Sequence, residues 1–161
     1  ILWATESFRT DPNDWLNRIQ IMKKLFAVLG AGLSIFSAQA KDLYLFADQG
    51  REHVFLGCFT CSPYSMDSIW NNYGQYGSKY STQSIWNAYG NFGSEYSNYS
   101  PWNRYANRAP VLVDKQGNFY GYFTCNPHAP KRVKKDLMDF ICNNLESIRE
   151  DRKDFYDKHF R

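Results

Sequence analysis

One phrase of seven residues is written three times at a fixed spacing of 16. It reads Ser68-Ile69-Trp70-Asn71-Asn72-Tyr73-Gly74, then Ser84-Ile85-Trp86-Asn87-Ala88-Tyr89-Gly90, then Ser100-Pro101-Trp102-Asn103-Arg104-Tyr105-Ala106. The first two copies also continue alike, through Gly77-Ser78-Lys79-Tyr80-Ser81 and Gly93-Ser94-Glu95-Tyr96-Ser97. A fixed period restricts a chain to like units laid side by side, because each unit is too small to bury its own apolar face. Between Ser68 and Tyr105 only Ile69 and Ile85 are large aliphatic residues. The interior of such an array must therefore be aromatic, and Trp70, Trp86 and Trp102 are expected in equivalent core sites.

Local chemistry within a unit predicts a helical turn. Ser68, Ser84 and Ser100 are placed to cap a helix start, and Pro101 suits a first helical position. Gly74 and Gly90 stand where a left-handed residue ends a helix. The predicted piece, Ile69 to about Tyr73, is one or two turns long and is held by packing alone. Trp70 and Tyr73 would share a face. Asn71, Asn87 and Asn103 read as short side chains satisfying backbone groups in a tight coil, in preference to a polar ligand row. With these, Tyr73, Tyr89 and Tyr105 are assigned to the structural repeat. Twelve aromatic residues fall between Tyr64 and Tyr105. The candidate ligand-facing rings are Tyr76, Phe92, Tyr80 and Tyr96, because Tyr combines an apolar body with a polar tip.

The flanks carry different signals. Met22-Lys23-Lys24 opens a short apolar run from Leu25 to Phe36, followed by Ala38-Gln39-Ala40. That order predicts a signal peptide over 22–40, with 1–21 as upstream translated sequence. The mature domain is expected over 41–152, with 153–161 as a frayed charged tail and no membrane span. After residue 40, fifteen Lys and Arg face thirteen Asp and Glu. So small an excess gives no general attraction to nucleic acid. Lys41–Phe46 and His53–Phe59 read as strands joined by a turn, and Val111–Val113 with Asn118–Thr124 as a hairpin. Phe55–Pro63 recurs as Phe119–Pro127, four periods on. Val133, Leu137, Phe140/Ile141, Leu145 and Ile148 predict one amphipathic helix from Lys131 to about Arg152. The fold class is thus α+β: a small repeat-built domain of 16-residue units, flanked by short strands and closed by a C-terminal helix.

The Tyr-Gly-x-Tyr-Gly-Ser-x-Tyr-Ser phrases, Ser-Pro-Trp-Asn-x-Tyr-Ala and Pro110-Val-Leu-Val-Asp-Lys-Gln-Gly-Asn-Phe-Tyr-Gly-Tyr122 resemble a family of small exported bacterial proteins of uncharacterised function. The likeness spans roughly Phe55–Asn126. It implies export and a shared fold, and carries over no activity.

All four cysteines, Cys58, Cys61, Cys125 and Cys142, follow residue 40, and an even count in an exported chain favours disulfides. Cys58–Cys61 with Cys125–Cys142 is preferred. The rival Cys61–Cys125 would span about 19 Å in an extended stack at strand spacing, beyond disulfide reach. A zinc site from all four is the weaker alternative. His53, His128 and His159 are scattered, Asp114 reads as a turn residue, and the basic cluster Lys131–Lys135 reads as a solvated face. No catalytic residue, cofactor or metal is expected. The expected function is a non-catalytic periplasmic or secreted module binding a cell-envelope glycan or another exported protein. The alternatives are a redox accessory enzyme using Cys58 and Cys61, or a purely structural envelope protein.

Overall fold

Two hairpins of similar design bracket the array. In the computed structural model, which describes residues 41–50 and 52–161, β1 (Leu43–Asp48) and β2 (His53–Cys58) form the first. Strands β3 (Val111–Asp114) and β4 (Phe119–Tyr122) form the second. They join into one antiparallel sheet of order β2-β1-β3-β4, so β1 and β3 meet at its centre. Three helices follow: α1 (Lys135–Asn143), α2 (Leu145–Glu150) and α3 (Arg152–His159). The protein is a mixed α+β fold. The expected signal peptide and upstream segment lie outside the described residues.

Strand β4 and the loop after it match β2 and its loop at an offset of 64, whereas β3 follows β1 at 67. Each hairpin has its register shift opposite the same place, skipping Leu56 in β2 and Tyr120 in β4. Gly57 and Gly121, next to these bulges, both have positive φ, 112° and 134°. Cys58 N–H donates to Asp67 O as Tyr122 N–H donates to Lys131 O. Ile69 and Val133 N–H close the pairs onto Cys58 and Tyr122 O. The recurrence of Phe55–Pro63 at Phe119–Pro127 therefore reflects a second strand and outgoing loop of like geometry.

Between the hairpins the chain is a run of turns. Backbone N–H groups of Asn71, Gly74, Ser78, Ser81 and Ser84 donate to carbonyls of Ser68, Asn71, Gly74, Ser78 and Ser81 in turn, and the series repeats from Ser84 to Ser100. Four steps of three residues and one of four make up the period of 16. Side chains lock the steps. Ser68, Asn71 and Ser78 accept from the N–H two residues on, of Trp70, Tyr73 and Tyr80, at 3.0–3.2 Å. Ser84, Asn87 and Ser94 do the same for Trp86, Tyr89 and Tyr96. The predicted one-turn helices do not form. Asn71 Oδ1 also accepts from Gly74, so it takes backbone donors that a helix would direct to its own carbonyls. Asn71, Asn87 and Asn103 donate back through Nδ2 to the Ser65, Ser81 and Ser97 carbonyls. The four-residue step needs glycine: a Cβ on Gly77 would lie 2.0 Å from Asn71 O, and on Gly93 2.3 Å from Asn87 O.

Trp70, Trp86 and Trp102 are buried, and their indole N–H groups donate to the carbonyls of Phe59, Ile69 and Ile85. Each coil is thereby fastened to the chain before it. The rings do not run on as a straight stack. Phe59, Trp70, Trp86, Trp102 and Phe123 form a closed circuit, with successive centroids 5.8, 5.6, 5.0, 6.0 and 5.4 Å apart. The expected extended stack is thus corrected: the sheet brings the first and last rings into contact. Ser68, Ser84 and Ser100 lie fully buried beside the circuit.

The C-terminal expectations also change. The single helix is three, broken at Asn144 and at extended Asp151, whose carboxylate caps α3 by accepting from Asp154 N–H at 2.9 Å. The residues expected to fray form α3, because Phe155 is buried and Phe160 packs on Trp70 and Phe59.

Candidate binding surface

The turn geometry sorts the aromatic residues. In the steps that start on Ser68, Asn71 and Ser78 and on their counterparts 16 residues on, the third residue carries the ring: the tryptophans are buried and the tyrosines exposed. Tyr73, Tyr89 and Tyr105 are 96, 99 and 90% exposed. Each has its N–H held by the preceding Asn, at 2.9–3.0 Å, so the three occupy equivalent places. Tyr64, Tyr80 and Tyr96, also 16 apart, are 69, 81 and 95% exposed. The result is two sets of exposed tyrosines, each at a spacing of 16.

Two of the rings proposed for ligand contact sit elsewhere. Phe92 is buried in the core, and Tyr76 is half-buried with its ring 4.8 Å from Phe55, edge to face. Burial, with a smaller push from Asp67, raises the Tyr76 pKa. Tyr80 and Tyr96 are exposed. Tyr73, Tyr89 and Tyr105, assigned to structure from the sequence, are the most exposed set. The missed signal was the three-residue step itself, which separates them from the tryptophans three positions earlier.

The helices dock on the array beside these tyrosines. Asn72 donates to Asp151 Oδ1 at 2.8 Å and accepts from Arg152 N–H at 3.1 Å. Arg149 bonds the Gly93 carbonyl and pairs with Glu95. Where α2 meets α3, a cleft of about 450 Å³ opens against the first coil, lined by Tyr73, Lys79, Tyr80, Asp151 and Arg152. The bonds from Asp154 N–H and Asn72 hold the Asp151 carboxyl below its usual pKa. Arg152 is 4% exposed, and burial pulls its pKa down against the opposing charge of Asp151.

The remaining candidates resolve into structure. Cys58–Cys61 and Cys125–Cys142 are disulfides, which removes the thiolates a zinc site would need. Asp42 approaches Cys58 and Cys61 but faces sulfurs already bonded to each other. Buried Asp114 accepts from Gln116, Asn118 and Tyr120; burial alone would raise its pKa, but these bonds outweigh it and leave the pKa lowered. His53 and His128 are exposed, and His159 packs on Phe155 and Phe140. In the basic cluster Arg132 pairs with Asp139 and bonds the Thr124 carbonyl. Lys131, Lys134 and Lys135 are exposed. No helix among the described residues is long and apolar enough to cross a membrane. No family model, curated protein or solved structure matches the chain.

Proposed function

We propose that this is an exported, non-catalytic module that binds an extended glycan of the cell envelope through its two sets of tyrosines, on coils that act as units of one array. The carrying observation is the split within a single period. Trp70, Trp86 and Trp102 are buried, while Tyr73, Tyr89 and Tyr105, three residues on, are held almost wholly in solvent. Exposed aromatic surface of this extent on a small protein marks an interaction site. A ring repeated once per coil suits a ligand that itself repeats, since sugar C–H faces stack on aromatic rings and tyrosine hydroxyls bond to sugar hydroxyls. Two disulfides are compatible with an oxidising, exported location. The resemblance of the repeats to small exported bacterial proteins supports the same reading.

The test is co-sedimentation of the disulfide-intact protein with insoluble envelope polysaccharides. Wild type is expected in the pellet, and a variant with Tyr73, Tyr89 and Tyr105 all replaced by Ser in the supernatant. Equal pelleting of both would refute the assignment.

A further inference from the structure

The coils are alike in their tyrosines and unlike in the residues beside them. Position 72 is Asn, but its counterparts are Ala88 and Arg104. Lys79 corresponds to Glu95. Only the first coil therefore carries the Asn72 amide that fastens it to Asp151 and Arg152, and the cleft there brings Tyr73 and Tyr80 to the α2–α3 junction; a second cleft, where Glu95 meets the α1–α2 junction, has no tyrosine on its lining. On the second coil Glu95, at the place of Lys79, pairs with Arg149.

We infer that the cleft bounded by Tyr73, Tyr80, Lys79 and Asp151 is a subsite for one uncharged pyranose residue of the glycan. This rests on the proposed function and adds to it a defined position and ligand chemistry. Tyr73 and Tyr80 line the cleft, and their exposed rings are available to the C–H faces of a sugar ring. The cleft offers an acceptor in the Asp151 carboxylate, whose Oδ1 is engaged by Asn72 and Asp154. It offers donors as well. The Ser78 hydroxyl oxygen accepts from Tyr80 N–H, which leaves its own proton to give, and Lys79 lies over the Tyr80 ring at 5.5 Å. Sugar hydroxyls both donate and accept, and this lining serves both. Lys79 and Arg152 are balanced on the lining by Glu150 and Asp151, so there is no net field to select a charged sugar. Asp151 remains ionised well into mild acid, because its pKa is lowered by the bonds that hold it.

Titration calorimetry of the disulfide-intact protein with neutral disaccharides, hexose and N-acetylhexosamine, and with their uronate counterparts, tests this. Fold is checked by near-ultraviolet circular dichroism of the tryptophans. Both Tyr73→Ser/Tyr80→Ser and Asp151→Asn should weaken neutral disaccharide binding by at least about tenfold, the scale of a lost ring contact or charge-assisted bond. Asn retains the α3 cap, so that variant keeps its fold. Tyr105→Ser should weaken polysaccharide binding but change disaccharide affinity less than about twofold. Disaccharide binding that ignores both cleft variants, or a preference for uronates, would overturn the subsite and leave the tyrosine sets standing. So would polysaccharide binding with no disaccharide binding at all. If neither polymer nor disaccharide binds, subsite and tyrosine sets fall together.

Discussion

Replacing Trp86 by Ala would remove a ring that touches Trp70 and Trp102 and holds the Ile69 carbonyl. The expected loss is about 3–5 kcal/mol in denaturant unfolding, against less than about 0.5 kcal/mol for Tyr89→Ala at 99% exposure. Comparable losses for the two would contradict the division between buried and outward rings. Gly77→Ala should also destabilise, by more than about 1 kcal/mol, since its Cβ would lie 2.0 Å from Asn71 O. At this scale the sequence was partly legible. The tryptophans and asparagines could be assigned because their period and chemistry agree. The tyrosines could not, because a ring at helical spacing from Trp70 shares its face, whereas in a chain of three-residue turns it points away. Ser-Ile-Trp, Asn-Asn-Tyr and Ser-Lys-Tyr spell that step, small polar residue first and ring third.

Among the elements, the hairpins are the most nearly self-specified: alternating strands, a glycine turn and a shared bulge at Gly57 and Gly121. The second hairpin turn hangs on Asp114. Its folded pKa is lowered, so its contribution is present above the ordinary carboxylate value of about 4 and is lost as pH falls through the folded value. Asp114→Asn should therefore be less stable than wild type at neutral pH and show a shallower fall in melting temperature on acidification below about pH 4. Parallel curves would show that the turn does not depend on this charge. The helices were harder to read. An apolar period continued across Asn144 and Asp151, and nothing local in Leu145–Ile148 announces that the chain bends. Phe155 and Phe160, five apart in a charged stretch, gave the tail no amphipathic face, yet both pack on Trp70. The Cys125–Cys142 bond fastens α1 to the end of the second hairpin. Replacing both cysteines by Ala should cost about 3 kcal/mol, read as a lower denaturant midpoint with faster amide exchange in α1.

For the whole molecule, the preferred disulfide pairing is present, but the distance argument for it fails. The array closes on itself, with Phe59 and Phe123 rings 5.4 Å apart, so the equivalent cysteine loops are not held at opposite ends of a stack. Closure needs the sheet pairing of β1 with β3, a contact between distant segments that no local pattern encodes. Its consequence is a circuit of buried rings with exposed tyrosines outside it, and the proposed function has those tyrosines grip a repeating glycan at several points. Affinity as a function of glycan length measures this most directly. Titration with a ladder of oligosaccharides should show binding that strengthens steeply as each added length engages another coil, and that flattens when Tyr89 and Tyr105 are replaced by Ser. Affinity independent of length, or unchanged by those replacements, would contradict it.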